Sequence, residues 1–570
     1  MVQPRTPIDS SADGTPAAAW IARPDHPVQG AAGGPLAGLR FAVKDNIDVA
    51  GLPTTAACPA FTQTPDSHAT VVRRLLEAGA QLVGKTNLDQ FACGLNGTRS
   101  PYGAVPNAFD PAYVSGGSSS GSAYAVAAGE VDFSLGTDTA GSGRVPAGLN
   151  NIVGLKPSRG LVSAHGVLPA AQSVDCVSIF ARTVALAVSV LQQAQGHDAR
   201  DPYSRKLALA TEPFPAAFRF GVPDRLEFFG DDLAKAAFAD AVRRLRTLGG
   251  TPVTIDYRPL ADAASLLYES ALVAERYAAV RGFFDGHEQD VVEPVRGIIA
   301  AGAGYSAADY CEAQAHLHAC GQAADTMWER IDVLLVPTAP THYTIAQMRE
   351  NPVALNRNLG QYTNFVNLLD YAALSVPSSL RPDGLPFGIT LVGRCGSDWQ
   401  LADVGQRYHH ATGLKQGATQ EPLPAPQPIP GLAPAASVTV AVVGAHLSGM
   451  PLNAQLTDRG ATLVGEAETA PDYRLFALPG TAPAKPGLVR IAPGTGARIA
   501  LELWQMPLRH YGSFVALVPA PLGIGTLQLA DGRSVQGFLC ESHATAGAQD
   551  ISHHGGWRAY IAARAAASLS

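Results

Sequence analysis

The chain has 570 residues, of which 46% are hydrophobic and 16% charged, and its formal net charge is −7. This composition is typical of a globular, core-forming protein, and the length favours more than one domain. The weak negative charge argues against a nucleic-acid-binding surface, and no stretch of about 18 uncharged apolar residues predicts a membrane span.

The first predicted elements alternate between strands and helices. Residues 1–34 are polar and rich in Pro, Gly and Ala, and we expect a loosely held leader there. Strands are predicted in LRFAVK, QLVG, VDFSL, IDVLLVPTAPT and LPFGITLVG, and helices in ATVVRRLLEAG and DDLAKAAFADAVRRLRTLGG. Together they predict an α/β fold with a mostly parallel central mixed sheet flanked by helices.

The composition changes near residue 421. Six prolines between Pro422 and Pro434 predict a semi-rigid spacer. After it come short strand-like segments, among them VTVAVVG, DYRLFALPG and SFVALVP, and a hairpin signal at Asp531-Gly532. We therefore predict a first α/β domain over 1–420, a linker over 421–437, and a small strand-rich α+β domain over 438–570 that ends in a helix.

Cysteines and histidines predict no metal site and no disulfide framework. The seven cysteines lie far apart and none forms a CxxC pair. The pairs His409-His410 and His553-His554 have no cysteine or carboxylate at ligand spacing, so we expect surface residues. With no apolar segment of signal-peptide length at the N-terminus, the expected location is the cytoplasm.

Two Gly/Ser-rich turns, SGGSSSGS at 115–122 and GTDTAGSG at 136–143, are the sequence's strongest functional signal. Such a stretch alone is most often a flexible linker. Here a predicted strand joins the two turns, which argues against a linker. Ser142 stands between glycines, where several backbone N–H groups can converge on one point, as an oxyanion hole requires. There is no G-x-S-x-G motif, so an α/β-hydrolase nucleophile elbow is excluded.

These turns closely resemble the amidase signature family. AVKDN at 42–46, GGSSSGSA at 116–123, GTDTAGSGRVPAG at 136–148 and DVLLVPTAP at 332–340 occur in the family's order, with the two serines 24 positions apart. The resemblance implies that Ser142 is the nucleophile, Ser118 the proton relay and Lys44 the base, with a cis bond before Ser118. It also implies an oxyanion hole built from the N–H groups of Thr139, Ala140, Gly141 and Ser142.

The implied base imposes physical conditions on its surroundings. A lysine accepts a proton only when it is neutral, so burial must lower the pKa of Lys44. Asp45 would oppose that shift, and we expect its side chain to face elsewhere. Asp138 and Arg144 are expected to pin the nucleophile turn.

The substrate is read from other segments. DTAGSGRVPAG, GAHLSGMPLN and the stretch from Pro519 to Glu541 resemble the allophanate hydrolase group of this family, whose second domain is similar to γ-glutamyl cyclotransferase-like folds. This resemblance implies hydrolysis of allophanate to ammonia and N-carboxycarbamate, with the second domain assisting decarboxylation.

Residues that would recognise the substrate follow from the same resemblance. Tyr268 and Arg276, eight positions apart on one predicted helix, would clamp the carboxylate, and Gly94 would line the pocket. Alternatively, Arg276 and its charged neighbours form only a solvated helix face. In the second domain His446 and His510 are candidates for handling the product, although interface or turn histidines are the alternative.

The resemblance implies no cofactor and no metal. The expected partners are the small-molecule substrate, a second copy in a homodimer, and a functional link to a biotin-dependent urea carboxylase; neither nucleic acid nor membrane is expected. Rival interpretations are another amidase, the amidase subunit of a tRNA-dependent amidotransferase, or a binding protein with an inactive amidase fold.

Overall fold

The computed structural model describes residues 17–433 and 436–567, and it divides into two compact units between Leu432 and Ala433. Of the predicted leader, residues 1–16 lie outside the described part, as do residues 434 and 435 of the predicted linker.

The first unit alternates strands and helices, as predicted. Its strands are β1 Trp20–Ala22, β2 Arg40–Lys44, β3 Gln81–Thr86, β4 Phe133–Asp138, β5 Val153–Lys156, β6 Cys176–Ala181, β7 Arg219–Pro223, β8 Thr251–Ile255, β9 Val333–Pro337, β10 Ala372–Leu380 and β11 Pro386–Gly393. Its α-helices are α1 Thr70–Glu77, α2 Ser120–Ala127, α3 Val145–Leu149, α4 Val184–Ala194, α5 Asp232–Thr247, α6 Arg258–Glu269, α7 Ala274–His287, α8 Val295–Ala301, α9 Ala307–Asp325, α10 Ile345–Glu350, α11 Ala354–Leu359, α12 Asn364–Leu368 and α13 Asp398–Thr412.

All eleven strands form one mixed sheet in the order β1-β3-β2-β4-β6-β5-β10-β11-β9-β7-β8. Parallel pairing is confined to two blocks, β3-β2-β4 and β9-β7-β8, and the other neighbours pair antiparallel. The mixed α/β class is confirmed, but the expected excess of parallel pairs is wrong. Helical crossovers such as β2-α1-β3 give parallel neighbours, whereas the short loop between β10 and β11 permits only antiparallel ones.

The helices that flank the sheet bury the stripes read from the sequence. In α1 the buried apolar residues are Val71, Val72, Leu75 and Leu76, which recur at helical spacing. Burying each such side chain stabilises the fold by about 1.5–3 kcal/mol. These contacts fix the strands at whose ends the functional turns begin.

Two sequence predictions for the first unit need correction. Part of the expected loose leader is structured, because Trp20–Ala22 forms edge strand β1 and Trp20 Nε1 donates to Glu130 at 2.7 Å. His409 is buried in α13 instead of lying on the surface, and burial lowers its pKa to about 3. At both positions packing against the rest of the first unit buries the side chain, although the sequence alone predicts a loosely held or surface residue.

The Pro-rich segment up to Leu432 packs on the first unit. Ile429 is buried in its main core, and Gln406 Nε2 donates to the Gln427 carbonyl at 2.6 Å. The described part of this segment is therefore anchored to the first unit at Gln427 and Ile429.

The second unit contains two sheets, in the orders β13-β16-β12-β18-β17 and β15-β14-β19. The strands are β12 Ser437–Val442, β13 Thr462–Glu468, β14 Tyr473–Ala477, β15 Pro486–Arg490, β16 Ala500–Pro507, β17 Leu522–Gln528, β18 Ser534–Cys540 and β19 Gln549–Asp550, and the helices are α14 Ala454–Thr457, α15 Leu508–Val515 and α16 Trp557–Ala567. Asp531-Gly532 turns the β17-β18 hairpin and α16 ends the described chain, both as predicted.

The predicted strand in SFVALVP is wrong. Its first residues belong to helix α15, which places Tyr511, Phe514 and Val515 on one face at helical spacing. Phe514 is fully buried there. The short apolar run alone could not distinguish the two structures, because the pattern that matters begins earlier in the chain.

Candidate active site

Three strand and helix ends converge at the candidate active site. Lys44 is the last residue of β2, and β4, its parallel neighbour, ends at Asp138. Ser118 lies just before α2, and Ser142 lies in the turn between β4 and α3. Gly141 in that turn has a φ of 137°, a conformation that favours glycine.

The structure brings the three predicted triad residues into one hydrogen-bonded chain. Lys44 Nζ lies 2.7 Å from Ser118 Oγ, and Ser118 Oγ lies 2.9 Å from Ser142 Oγ. All three side chains are buried, and the Gly117–Ser118 peptide bond is cis, as the family resemblance implied. A proton can therefore pass from Ser142 through Ser118 to Lys44 along two short contacts.

The surroundings of Lys44 suit a base. Its amine is fully buried, which lowers its pKa to about 7, although Asp89, Asp175 and Asp138 oppose the shift from a distance. Within residues 17–433 and 436–567, no carboxylate forms an ion pair with it; its second contact is the Thr137 hydroxyl at 2.7 Å. Near neutral pH a large share of the amine is consequently unprotonated.

Asp45 faces away from this site, as expected. It forms a fully buried ion pair with Lys85 at 3.0 Å and accepts a hydrogen bond from the Thr55 hydroxyl. Two buried lysines on neighbouring strands thus differ in kind: Lys85 has a carboxylate partner, whereas Lys44 has only hydroxyl partners.

The nucleophile turn is pinned by the ion pair of Asp138 and Arg144. Arg144 donates to both carboxylate oxygens of Asp138 at 2.9 Å, and Gly143 N–H donates to the same carboxylate at 3.0 Å. Burial would raise the pKa of Asp138, but the Arg144 guanidinium holds it below its usual range. The turn is therefore fixed before any ligand arrives.

The proposed oxyanion donors remain free in this turn. No acceptor among the described residues takes a hydrogen bond from the backbone N–H groups of Thr139, Ala140, Gly141 or Ser142. The Thr139 hydroxyl, in addition, donates to Asp175 at 2.5 Å. Backbone N–H groups without an acceptor beside a serine hydroxyl can stabilise a negatively charged oxygen.

Gly94 lies next to Ser142, with its carbonyl oxygen 3.4 Å from Ser142 Oγ. A Cβ on Gly94 would lie 2.4 Å from a carboxylate oxygen of Asp89, and a Cβ on Gly117 would lie 2.1 Å from the same atom. Both positions therefore require glycine, because the Asp89 carboxylate is wedged between their backbones.

Tyr268 and Arg276 do not share one helix, contrary to the sequence prediction. Helix α6 stops at Glu269, a single 3-10 turn at Ala271–Val273 follows, and α7 carries Arg276. Ser270 causes the break, because its hydroxyl donates back to the Leu266 carbonyl at 2.6 Å and caps the next turn.

The helix break brings Tyr268 and Arg276 together. Arg276 Nη2 donates to the Tyr268 hydroxyl at 3.0 Å, and the guanidinium carbon lies 4.8 Å from the centre of the tyrosine ring. Arg276 is only 4% exposed, yet its Nε and Nη1 have no hydrogen-bond partner among the described residues. It is close enough to lower the pKa of Lys44, so it is no solvated surface residue.

Sequence reasoning missed Thr137 and Asp175. Thr137 belongs to the G-T-D motif, so the motif could have indicated its position at the end of β4. Asp175 had no such signal: it is one acid in an apolar segment, yet it accepts hydrogen bonds from Thr139 and from the N–H groups of Ala170 and Ala171. Burial raises the pKa of Asp175 to about 6.

In the second unit His446 lines a cavity of about 200 Å³, together with Gln455, Lys485 and Phe538. The imidazole stacks on Phe538 at 4.9 Å, its Nε2 lies 2.9 Å from Gln455 Oε1, and burial lowers its pKa. His510, on α15, is not among the residues that line this cavity.

Neither a metal nor a membrane site emerges from the part of the chain that the structure describes. No group of three or more His, Cys, Asp or Glu residues there could hold a metal ion. No helix in the same residues is both long and apolar enough to cross a bilayer.

Comparisons with known proteins find matches to both units of the chain. The Amidase family model matches residues 13–402, and the Allophanate hydrolase C-terminal domain model matches residues 438–562. Urea amidolyase from Lachancea kluyveri is 44% identical over 92% of this chain, which spans only 30% of that relative. A glutamyl-tRNA(Gln) amidotransferase subunit from Symbiobacterium thermophilum is 37% identical over 66% of this chain and 84% of its own length.

Among solved structures, Kluyveromyces lactis allophanate hydrolase superposes with a TM-score of 0.74 at 42% identity, covering 92% of this chain and 88% of that one. The similarity thus extends through both units, whereas the amidotransferase relative matches two thirds of the chain. The chain belongs to the amidase family of hydrolases and carries a region matching the allophanate hydrolase C-terminal domain.

Proposed function

We propose that this chain hydrolyses the terminal amide of allophanate (urea-1-carboxylate) to ammonia and N-carboxycarbamate. The observation that carries the proposal is the Arg276 guanidinium, which is buried close enough to Lys44 to lower its pKa and has Nε and Nη1 unpaired among the described residues. A buried cation with free donors is costly unless an anion pairs with it, and a guanidinium suits a carboxylate. The similarity to K. lactis allophanate hydrolase supports the same substrate.

The proposed mechanism begins with Arg276 and Tyr268 holding the carboxylate of the substrate. Neutral Lys44 takes a proton from the Ser118 hydroxyl, and Ser118 takes a proton from the Ser142 hydroxyl. The Ser142 Oγ then attacks the terminal carbonyl carbon of the substrate. The N–H groups of the nucleophile turn, including those of Thr139 and Ala140, stabilise the resulting oxyanion.

The second half of the cycle returns the protons. Ser118 delivers a proton to the leaving nitrogen, ammonia departs, and an acyl-enzyme remains on Ser142. Water then attacks this ester while Ser118 and Lys44 accept its proton, and Ser142 leaves as the hydroxyl. The products are ammonia and N-carboxycarbamate, and the enzyme regains its starting protonation state.

For the second unit we propose that His446 assists decarboxylation of the product. Because the Gln455 oxygen only accepts, Nε2 carries the ring hydrogen and Nδ1 keeps its lone pair in the neutral ring. Nδ1 can take the proton of a carboxyl group and return it to the nitrogen as carbon dioxide leaves. The nearby positive charge of Lys485 suits an anionic ligand in this cavity.

A substrate panel tests the function. We expect the full chain to release ammonia from allophanate at least about tenfold faster, in kcat/KM, than from biuret or malonamate, and not from glutamine. Glutamine hydrolysis with no activity on allophanate would instead favour the amidotransferase interpretation, which the similarity to the Symbiobacterium amidotransferase keeps as the second candidate.

The same assay distinguishes the contributions of the two units when the release of ammonia and the release of carbon dioxide are both followed over time. His446→Asn is expected to keep the first ammonia release and delay carbon dioxide, and His510→Asn serves as the control because His510 does not line the cavity. If carbon dioxide were released as early by His446→Asn as by the wild type, His446 would have no part in decarboxylation and the role of the second unit would be structural.

The pH dependence follows from the pKa of about 7 for Lys44. Only the neutral amine accepts a proton, so the reactivity of Ser142 should rise with pH and level off above about pH 8. Asp175 raises the pKa of Lys44, and therefore Asp175→Asn should move this rise to lower pH. The measurement is the rate at which a fluorophosphonate phosphonylates Ser142, with loss of fluoride, as a function of pH. A rise centred near pH 10 would contradict the role of Lys44.

We also propose a cytoplasmic homodimer that acts on the product of a biotin-dependent urea carboxylase. Seven free cysteines suit a reducing compartment. The urea amidolyase relatives are about three times longer than this chain, which leaves room in them for a second activity.

A further inference from the structure

The side chain of Thr363 lies against the nucleophile turn. It is fully buried, and its Oγ1 has no hydrogen-bond partner among the described residues. A Cβ built on Gly141 would lie 2.3 Å from Thr363 Oγ1 but 3.2 Å from its Cγ2, so the hydroxyl is the part of Thr363 that faces the turn. Leaving such a hydroxyl unpaired costs about 1–3 kcal/mol, which calls for a functional explanation.

Thr363 is held in this position by the ion pair that pins the turn. Arg144 Nη1 and Nη2 both donate to the Thr363 carbonyl at 3.2 Å, while the same guanidinium binds Asp138. Thr363 N–H donates to the Gly360 carbonyl at 3.1 Å. The backbone of Thr363 therefore cannot move away from Gly141 without disturbing Arg144.

Gly141 immediately precedes Ser142, and its N–H is one of those with no acceptor among the described residues. Because it has no side chain, the Thr363 hydroxyl reaches the space that a Cβ would fill. We propose that Thr363 Oγ1 donates a hydrogen bond to the oxyanion formed on Ser142 and so adds a side-chain donor to the backbone N–H groups. This inference rests on the proposed amide hydrolysis but not on which amide is the substrate.

Ser178 provides a matched comparison on the other side of the turn. It is also fully buried with an unpaired Oγ, which lies 2.6 Å from a Cβ built on Gly143. The Gly143 N–H, however, already donates to Asp138, so Ser178 lies beside an occupied donor. Loss of the Ser178 hydroxyl should therefore leave the oxyanion unaffected.

The test compares Thr363→Val, Thr363→Ser and Ser178→Ala in the full chain. We expect Thr363→Val to lower kcat for allophanate about tenfold to a hundredfold with KM within about twofold, because the bond forms only in the transition state. Thr363→Ser and Ser178→Ala should stay within about threefold of wild type. An unchanged kcat in Thr363→Val, or an equal loss in Ser178→Ala, would overturn the proposal.

A binding experiment separates this proposal from the choice of substrate. Methylboronic acid adds to a serine hydroxyl as a tetrahedral anion, whereas malonate only occupies the carboxylate site. Thr363→Val should bind methylboronic acid at least about tenfold more weakly and malonate within about twofold of wild type. Equal boronate affinity would overturn the role of Thr363 even if allophanate is the substrate. Weaker boronate binding in an enzyme inactive on allophanate would support it and reject only the substrate.

Discussion

Replacing Lys44 by methionine is expected to lower kcat about 10⁴-fold or more while the protein stays folded. The amine is the proposed terminal acceptor of the Ser142–Ser118 proton chain, and no other ionisable group of the described residues lies within hydrogen-bond distance of Ser118. Stability should change little, because Lys44 has no ion-pair partner in the described part of the chain and methionine has a similar length. Steady-state kinetics and thermal unfolding of the purified variant measure the two effects.

Lys85 is the matched control, because it is equally buried and lies on the neighbouring strand β3. Lys85→Met should instead reduce stability more than activity. It leaves the Asp45 carboxylate without its ion-pair partner, which lowers the free energy of unfolding by about 3–5 kcal/mol. A Lys44→Met variant with a near-normal rate would reject Lys44 as the base. Equal destabilisation of both variants would mean that Lys44 is structural.

Arg276→Lys is expected to raise KM for allophanate about tenfold to a hundredfold while changing turnover of a neutral amide, propionamide, less than about threefold. A lysine keeps the charge but loses the planar fork whose Nε and Nη1 are free, and it cannot keep both the Tyr268 contact and a two-point grip on a carboxylate. Michaelis–Menten kinetics on both substrates give the comparison.

Arg281→Lys on the same helix controls for general effects. Arg281 is 69% exposed, pairs with Asp285 at 3.6 Å and lies 5.9 Å from the centre of the Tyr277 ring, so its substitution should change turnover of neither substrate. If Arg276→Lys affected allophanate and propionamide alike, Arg276 would be acting on the site as a whole, and the carboxylate clamp would be rejected.

The sequence alone predicted the elements with repeated patterns and the residues within motifs. The buried stripe of α1 and the strand that ends at Lys44 follow directly from spacing, and Ser118 and Ser142 stand in distinctive turns. The structure places these residues where the spacing and motifs require, although their catalytic roles stay predictions.

What the sequence could not supply depends on contacts between distant residues. The break at Ser270 arises from one hydroxyl that competes for a backbone carbonyl, and no periodicity reveals that competition. Asp175 and Thr363 reach the nucleophile turn only through the folded sheet and its helices. The segment SFVAL resembles a strand when taken alone. Its first residues are helical because they continue α15, in which Tyr511 lies on the same face as Phe514 and Val515.

The position of the proposed clamp has a consequence for how such an enzyme can diversify. Lys44, Ser118 and Ser142 lie within residues 40–149, on or beside the central strands, whereas Tyr268 and Arg276 lie in the helical excursion between β8 and β9. Selection can therefore remodel that excursion, lengthening a helix or moving a break such as Ser270, without displacing the proton relay. Grafting the excursion from one relative into another should accordingly transfer the donor's preference for the acyl group of the substrate. The recipient should keep its own mechanism of amide-bond cleavage.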